Sequence, residues 1–452
     1  MASAENRREG RAGIAAVLSL LTFLPCAAAR AQDRPVTRPI TLQQALRRAL
    51  DANASTATAR SQVATSEAQV RQLRTSILPH ADLDASATRN SREVAFDVNG
   101  FRATILPRND WTARINFSQP IYAGQRELMA LRQSRLLVTS NQSGLRSAED
   151  TVLLATASDY LGIVQGQDLV NVEQKNLELA ARRRKQAQAF YEAGEQTRVD
   201  VLRAETDQKA AERALASAQQ SRDLAASRLR LDIALDGLPG EPVQVQPPDL
   251  KFPPLPPAAT LVTQAEASRP SVLRAELALQ IAQLETRKQG AARLPTVRAE
   301  ADVLRQRTSF PADQTAALTI RLTMPLFDSG EISARVAVAR EQQRQAEIAL
   351  AEARRQVRED VLQALLELKT AETDLALARE QLAAAEAEYS QSFELYRAQE
   401  ATSLDLQTAE TALASARRAV VNGTVNRDLA EVNVWSAAGT LKTLILTQEG
   451  AQ

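Results

Sequence analysis

The chain has little of the side-chain chemistry on which enzymes and metal sites depend. Its 452 residues include one cysteine, Cys26, and one histidine, His80. A lone histidine makes no metal site, and the sequence holds no Gly-x-Ser-x-Gly, His-Glu-x-x-His or Walker phosphate-binding motif. We therefore expect no cofactor and no metal, and we do not predict an enzyme.

Charge of one sign and long apolar runs are also missing. The chain has 55 basic and 54 acidic residues, a formal net charge of +1, and only 4% aromatic residues. Binding to nucleic acid needs a basic face, so nucleic acid is not an expected partner. After residue 31 no stretch of eighteen apolar residues occurs, and the sequence predicts no transmembrane helix.

Residues 1–31 are predicted to be a secretory signal. Three arginines precede an apolar run at 14–24, and an Ala-Arg-Ala sequence with the small-x-small pattern of a cleavage site ends at residue 31. Lipidation of Cys26 would need a small residue before it, and Pro25 stands there. Cleavage after residue 31 would leave an exported protein without cysteine.

One design occurs twice in the chain. The segment YEAGEQTRVDVLRAE at 191–205 returns as YRAQEATSLDLQTAE at 396–410, an offset of 205 residues. The Leu-Pro dipeptides that begin at Leu78 and Leu294 are 216 residues apart, so a segment between these motifs has changed length. Such distances fit a duplicated folding unit. We predict a first repeat at 32–237, a proline-rich linker at 238–258, a second repeat at 259–439 and a tail at 440–452.

Within each repeat a helical segment is followed by a change of period from 3.6 to 2. Alternating apolar and polar residues predict strands at about 80–90, 110–121, 295–306 and 314–326. Their length suits tilted strands that cross a bilayer. The polar positions Arg114, Asn116, Thr319 and Arg321 suit a water-filled lumen.

A long helical hairpin follows the strands of each repeat. No proline and no further glycine interrupts the chain between Gly330 and Tyr396, a helix of about 100 Å. Large residues recur there every seven positions, with alanines three residues on, as in closely packed coiled coils. The corresponding seam of the first repeat is interrupted by Asp159, Gly166 and Glu173. We predict hairpins at 124–236, with a turn at 193–197, and at 330–438, with a turn at 398–402.

Four strands in lipid cannot stand alone, because each open edge leaves unpaired backbone groups that cost several kcal/mol apiece. Several chains must therefore close one barrel. Two chains would give eight strands and three would give twelve, and the strand pattern alone does not choose. Width favours three, since eight-stranded barrels are filled by their own side chains.

The ordered, doubled motifs resemble the TolC-type outer-membrane efflux proteins over essentially the whole chain after the signal. The motifs are Leu-Gln-Gln-Ala-Leu at 42–46, Arg269-Pro270, both Leu-Pro strand starts, Gln-Pro-Ile-Tyr at 119–122, Met-Pro-Leu-Phe at 324–327, and Tyr-x-Ala-Gly-x-x-Thr-x-x-Asp-Val-Leu at the first hairpin turn. The family's Asn-Pro is missing at 51–55, and Gln399 replaces its turn glycine.

The resemblance implies a mainly α fold with a membrane β-barrel portion. Three identical chains, each giving four transmembrane strands, would close a twelve-stranded barrel in the outer membrane of a Gram-negative bacterium. Long antiparallel coiled-coil hairpins would continue the barrel as a tunnel into the periplasm. Implied partners are outer-membrane lipid, a periplasmic membrane-fusion adaptor and, through the adaptor, an inner-membrane pump of the RND, ABC or MFS type.

The implied function is the exit duct of a tripartite efflux pump, gated at its periplasmic tip. By resemblance we assign Asp200, Asp405 and Tyr396 to the gate, with Arg198 as candidate cation. The repeated Thr-x-x-Asp sequences also predict ordinary capping boxes. The hairpin tips would dock the adaptor through Gly194, Glu195, Gln196, Thr197, Gln399, Glu400, Ala401 and Thr402.

Two other functions stay open. One is the exit duct of a type I protein secretion system, which differs in its pump and cargo. The other, which is less favoured, is a periplasmic coiled-coil adaptor or scaffold. An adaptor usually has a single helical hairpin, whereas this sequence predicts two hairpins and four strands.

Overall fold

The computed structural model describes residues 39–98, 100–235, 243–248, 252–307, 313–398 and 400–447. The predicted signal at 1–31 and the tip residue Gln399 lie outside these ranges.

The first repeat contains four helices and four strands within its described residues. They are α1 (Leu42–Ala52), α2 (Ala54–Thr75), β1 (His80–Arg89), β2 (Val94–Val98), β3 (Phe101–Leu106), β4 (Asn109–Ala123), α3 (Arg126–Glu192) and α4 (Arg198–Asp232).

Over its described residues the second repeat follows the same order, without a counterpart of the pair β2–β3. Its elements are α5 (Ala258–Ser268), α6 (Pro270–Gly290), a 3-10 turn (Ala291–Arg293), β5 (Thr296–Gln306), β6 (Gln314–Thr323), α7 (Glu331–Arg397), α8 (Ser403–Ala437) and α9 (Leu441–Thr447). The last helix lies in the segment predicted as a tail.

The two repeats match element by element. Helices α3 and α7 each have 67 residues, α4 and α8 each have 35, and both pairs are related by the offset of 205. Helices α1 and α5 each have 11 residues and are related by the offset of 216. The offset changes between β1 and β4, where the first repeat carries the hairpin β2–β3. The sequence did not predict this hairpin.

Each predicted helical segment before the strands is broken once. Arg269 has extended backbone angles between α5 and α6, because the following Pro270 disfavours helix at that position. Asn53 is extended between α1 and α2, and its side chain accepts a hydrogen bond from the backbone nitrogen of Ser55 at 2.8 Å. This contact caps α2 and replaces the family's proline.

Both breaks meet the end of a returning helix. The Asn53 side chain donates to the carbonyl of Asp232, the last residue of α4, at 3.3 Å. The Arg269 side chain donates to the carbonyl of Ala437, the last residue of α8, at 3.5 Å. The contact between the helix break and the end of the returning helix is therefore made by an asparagine in the first repeat and by an arginine in the second.

Four strands form one antiparallel sheet in the order β1-β4-β5-β6, and β2 pairs with β3 separately. The 15-residue β4 is longer than predicted and its register with β5 shifts between Pro120 and Tyr122. Strands β1 and β6 are the two edges of the sheet. All ten residues of β1 are exposed.

The long helices pack on different partners along their length. The 67 residues of α3 span about 100 Å, whereas the 35 residues of α4 span about 50 Å. Helix α4 covers the second half of α3. Helix α6 lies beside its first half, where the Gln133 side chain donates to the carbonyl of Ile281 at 3.1 Å. No helix among the described residues is both long and apolar enough to cross a membrane.

The largest core cluster lies where the two repeats meet. It contains Leu46 and Leu153 from the first repeat and Leu261, Val361 and Trp435 from the second. The predicted seam of the second hairpin is largely buried. Its buried members are Val361, Ala364, Leu368, Leu375, Ala378, Ala385 and Tyr396 in α7 and Leu406, Ala409, Leu413 and Ala416 in α8.

Residues of the predicted linker also pack on the first repeat. Val245 pairs in parallel with Ile40, and the nitrogen of Ile40 donates to the carbonyl of Gln244 at 2.9 Å.

Candidate functional site

Both hairpin tips carry the capping boxes that the sequence predicted. The Asp200 carboxylate accepts hydrogen bonds from the backbone nitrogen of Thr197 at 3.2 Å and from its hydroxyl at 2.7 Å. Asp405 accepts the same two bonds from Thr402, at 2.9 and 2.6 Å. Each carboxylate therefore completes the first turn of a returning helix, α4 or α8.

These hydrogen bonds lower the pKa of both carboxyl groups. For Asp200 the Thr197 side chain has the largest effect, and Ser403 and Arg203 act in the same direction. For Asp405 the side chain and backbone of Thr402 are responsible. Both groups are thus ionised at neutral pH.

Two hydrogen bonds join the tips of the two hairpins. The Gln196 side chain donates to the Tyr396 hydroxyl at 3.1 Å, and the Ser403 hydroxyl donates to Asp200 at 3.4 Å. Tyr396 is only 3% exposed, and its ring contacts that of Phe190 edge to face at 6.1 Å between centroids. The structure thus brings Asp200 and Tyr396 into one contact zone.

The other predicted gate residues lie apart from this zone. Asp405 is exposed and bonds to its own helix start. Arg198 is exposed as the first residue of α4. The arginine that lies beside Asp200 is instead Arg203, with its side-chain nitrogen 4.0 Å from the carboxylate.

The predicted docking residues form the two turns. Gly194 adopts a left-handed backbone with φ +78° and is exposed, as are Glu195, Thr197, Glu400 and Thr402. Gln196 and Ala401 are half-buried.

Above the tips, charged side chains from both repeats meet in a partly buried interface that the sequence analysis missed. Arg183 on α3 pairs with Asp207 on α4 and with Glu410 on α8, the latter at 2.7 Å. Further along, Arg418 on α8 pairs with Glu173 on α3. We call these five residues the α3–α8 clamp; they line a cavity of about 210 Å³.

The clamp changes the titration of its acids. Burial raises the pKa of Glu410, although Arg183 acts in the opposite direction. Burial also acts to raise the pKa of Glu173, but hydrogen bonds from Arg418 and Asn176 outweigh it and lower the value. The sequence contains one signal of this interface. Glu173 is a charged residue in the heptad seam of the first hairpin, at the position where the second hairpin has Ala378.

The four predicted lumen residues share one face of the sheet. Cross-strand pairing sets Arg114 opposite Asp84 and Leu304, and Asn116 opposite Asp82 and Asp302. Thr319 lies opposite Glu300, and Arg321 lies opposite Arg298 with its side chain 3.5 Å from Glu300.

The opposite face of the sheet is apolar and open. It carries Leu83 at 68% exposure and Leu318 at 77%, with Ile115, Phe117, Ile320 and Leu322 also exposed. Exposed apolar area on this scale marks a surface made for a partner or for lipid.

The described residues contain no group of three or more His, Cys, Asp and Glu side chains arranged to hold a metal.

The model of the outer membrane efflux protein family matches the chain twice, over residues 45–233 and 261–440. The chain belongs to this family. The two matches coincide with the two repeats.

Individual relatives agree with this assignment. The chain is 24% identical to outer membrane efflux protein BepC of Brucella suis biovar 1 (strain 1330) over 338 residues. The aligned region covers 74% of this chain and 73% of BepC.

Solved structures share the fold. The CmeC outer membrane channel of Campylobacter jejuni has a TM-score of 0.78 at 18% identity, with 88% of this chain and 86% of CmeC covered. The open state of the MtrE outer membrane channel of Neisseria gonorrhoeae has a TM-score of 0.72 at 20% identity, with 88% of each chain covered.

Proposed function

We propose that three copies of this chain form the exit duct of a tripartite efflux pump. The duct would be a twelve-stranded barrel in the outer membrane of a Gram-negative bacterium, continued by a helical tunnel in the periplasm. The observation that carries the proposal is a four-stranded sheet with one polar face, one apolar face and two open edges.

The open edges require closure by other copies. Strand β1 has ten residues, of which about half direct their backbone groups outward in an antiparallel edge. In lipid each unpaired group costs several kcal/mol. The sum for one edge exceeds the ~5–15 kcal/mol that stabilises a whole domain. Pairing β6 of one chain with β1 of the next removes both edges.

The polar face supports three copies rather than two. Arg114, Arg321 and Glu300 are long charged side chains that need water around them. An eight-stranded barrel has no room for an aqueous channel, whereas a wider barrel has. Twelve strands from three chains therefore fit this face, and the apolar face then meets lipid.

The tips supply a gate and a docking surface in this arrangement. Three chains bring six capped helix starts together at the periplasmic end, with three copies each of Asp200 and Asp405. The contacts of Tyr396 and Ser403 hold neighbouring hairpins together. The exposed turns, with Gly194, Glu400 and Thr402, are the surface available to a periplasmic adaptor.

The name of BepC, an outer membrane efflux protein, favours efflux over protein secretion as the cargo pathway. A type I secretion duct would use the same geometry with a different pump. Deletion of the gene should raise sensitivity to antibiotics if efflux is the function. Loss of a secreted protein with unchanged drug sensitivity would support secretion instead.

The gate is tested by replacing Asp200→Ala and Asp405→Ala together. We expect the purified channel in planar bilayers to show higher single-channel conductance in its resting state, and cells to become more sensitive to large antibiotics. Glu178→Ala, at an exposed position of α3 away from both turns, is the control. Unchanged conductance and sensitivity in the double variant would refute the assignment of these residues to the gate.

A further inference from the structure

We propose that the α3–α8 clamp is a fixed junction, which keeps the two hairpins of one chain together while the tunnel opens at the junctions between chains. This inference rests on the proposed function, because it concerns how the six hairpins of a trimer move. It goes beyond the tip contacts, which lie at the turns, and concerns the stretch of helix above them.

The clamp holds the two hairpins together through partly buried ion pairs. The Arg183 side chain is 7% exposed and Glu410 is 13% exposed. Arg183 also pairs with Asp207, and the Gln407 side chain donates to Asp207 at 3.0 Å. Separation of α8 from α3 and α4 would keep the pair between Arg183 and Asp207 but would take the Glu410 carboxylate away from its arginine in a half-buried place, which is unfavourable.

A second ion pair extends the clamp upward. Glu173 is 6% exposed and accepts two hydrogen bonds from Arg418, one of them at 3.0 Å. Still further from the tip, the Gln165 side chain donates to Asn422 at 2.9 Å. The contacts thus run along several turns of α8, so that the whole lower half of this helix is fixed against α3.

The tip contacts are weaker by comparison. They are the bond between Gln196 and Tyr396, both uncharged, and the 3.4 Å bond from Ser403 to Asp200. A hydrogen bond between uncharged groups, and a single long bond from a hydroxyl to a carboxylate, each contribute less than a partly buried ion pair with charge-assisted hydrogen bonds. Opening that breaks the tip bonds therefore need not part the clamp.

The internal repeat shows that the clamp exists at only half of the junctions. A ring of six hairpins has two kinds of junction that alternate. Within a chain, α8 packs on α3 and α4. Between chains, the repeat places α4 of the next chain against α7 and α8 in the equivalent way. At the offset of 205 residues, the position that matches Arg183 is Glu388 and the position that matches Glu410 is Glu205. The positions that match Asp207, Glu173 and Arg418 are Ala412, Ala378 and Arg213.

The junction between chains therefore has no counterpart of either ion pair. Where Arg183 meets Glu410 within a chain, Glu388 of one chain would face Glu205 of the next. Both glutamates are exposed in the single chain. Like charges at matched positions repel, so this junction is the easier one to widen.

The test uses cysteine pairs, for which the chain is well suited because its only cysteine, Cys26, lies in the predicted signal. One variant carries Gln165→Cys with Asn422→Cys and bridges the clamp region within a chain. The other carries Glu205→Cys with Glu388→Cys and bridges the junction between chains. Both are made with Asp200→Ala and Asp405→Ala, the leaky gate, and are joined with a short bifunctional thiol reagent.

Single-channel conductance is measured before and after cross-linking. We expect the bridge within a chain to leave the conductance unchanged and the bridge between chains to reduce it to the closed level. A bridge at 165–422 that closes the channel, or a bridge at 205–388 that has no effect, would overturn the inference. Absence of any conductance before cross-linking would instead contradict the proposed function itself.

Single charge removals give a second readout with opposite signs. Glu410→Gln loosens the clamp and should raise the resting conductance of the otherwise unchanged channel. Glu205→Gln removes a like charge from the junction between chains and should lower it or leave it unchanged. Equal effects of the two matched substitutions would contradict the distinction between the two junctions.

Discussion

The hydroxyl of Tyr396 offers the sharpest test of the tip contacts. Tyr396→Phe removes the acceptor for the Gln196 side chain, 3.1 Å away, and keeps the ring against Phe190. The other side-chain atom of Gln196, Oε1, is already buried without a hydrogen-bond partner among the described residues. The substitution therefore leaves the whole amide group of Gln196 without its contact to the second hairpin.

The size of the effect follows from one hydrogen bond per chain. Such a bond contributes about 1 kcal/mol net. Three chains that open together would lose about 3 kcal/mol of closed-state stability, a shift of roughly 100-fold in the equilibrium between closed and open channels, since 1.4 kcal/mol corresponds to tenfold. A smaller change, of about fivefold, would indicate that the chains open one at a time.

The assay is the open probability of single channels in planar bilayers. Tyr191→Phe is the matched control, because Tyr191 occupies the same place in the first repeat and is 42% exposed. We expect Tyr396→Phe to raise the open probability and Tyr191→Phe to leave it unchanged. Equal responses, or no response from Tyr396→Phe, would refute the role of this hydroxyl in holding the tips.

Two further predictions concern the first hairpin. A Cβ at Gly166 would lie 2.8 Å from the Cα of Arg222, so Gly166→Ala should destabilise the protein by about 1–3 kcal/mol. Gly144→Ala, in the same helix with nothing within 4 Å of its Cβ, should be neutral or stabilising; thermal unfolding compares them, and equal effects would contradict the close approach. Burial and the neighbouring Asp232 raise the pKa of Asp159 to about 6. Between about pH 4 and 6 the folded state therefore binds more protons at this carboxyl group than the unfolded state does, and the free energy of unfolding falls as the pH rises through this range. The variant Asp159→Ala carries the residue type of the matching position, Ala364. Its free energy of unfolding relative to the parent should therefore rise between pH 4.5 and pH 7.5, by on the order of 1 kcal/mol after solvent screening. A difference that does not change with pH would count against this assignment.

Much of the fold is visible in the sequence because local patterns determine it. The absence of proline between Gly330 and Tyr396, and the heptad spacing there, predict a single helix, and α7 runs from Glu331 to Arg397. The Thr-x-x-Asp sequences predict capping boxes, and both are present. Such features depend on neighbours within one or two helical turns, which a sequence displays directly.

Features that depend on distant contacts were not predicted. The ion pairs of the α3–α8 clamp that join the two hairpins link residues more than 200 positions apart, and nothing local distinguishes half-buried Glu410 from exposed Glu205. The sequences of the hairpin strands β2 and β3 do alternate in the manner of the longer strands, but the two strands have only five and six residues, and the sequence analysis missed them. The roles of Arg198 and Asp405 in a gate stay predictions, because within one chain both lie on exposed surface that only neighbouring copies could cover.

The central claim is that three chains close one duct, and the mass of the detergent-extracted particle measures this directly. Native mass spectrometry of protein extracted from the outer-membrane fraction should give the mass of three processed chains, as expected if β6 of each copy pairs with β1 of the next to make twelve strands. A particle of one or two chains would contradict the account.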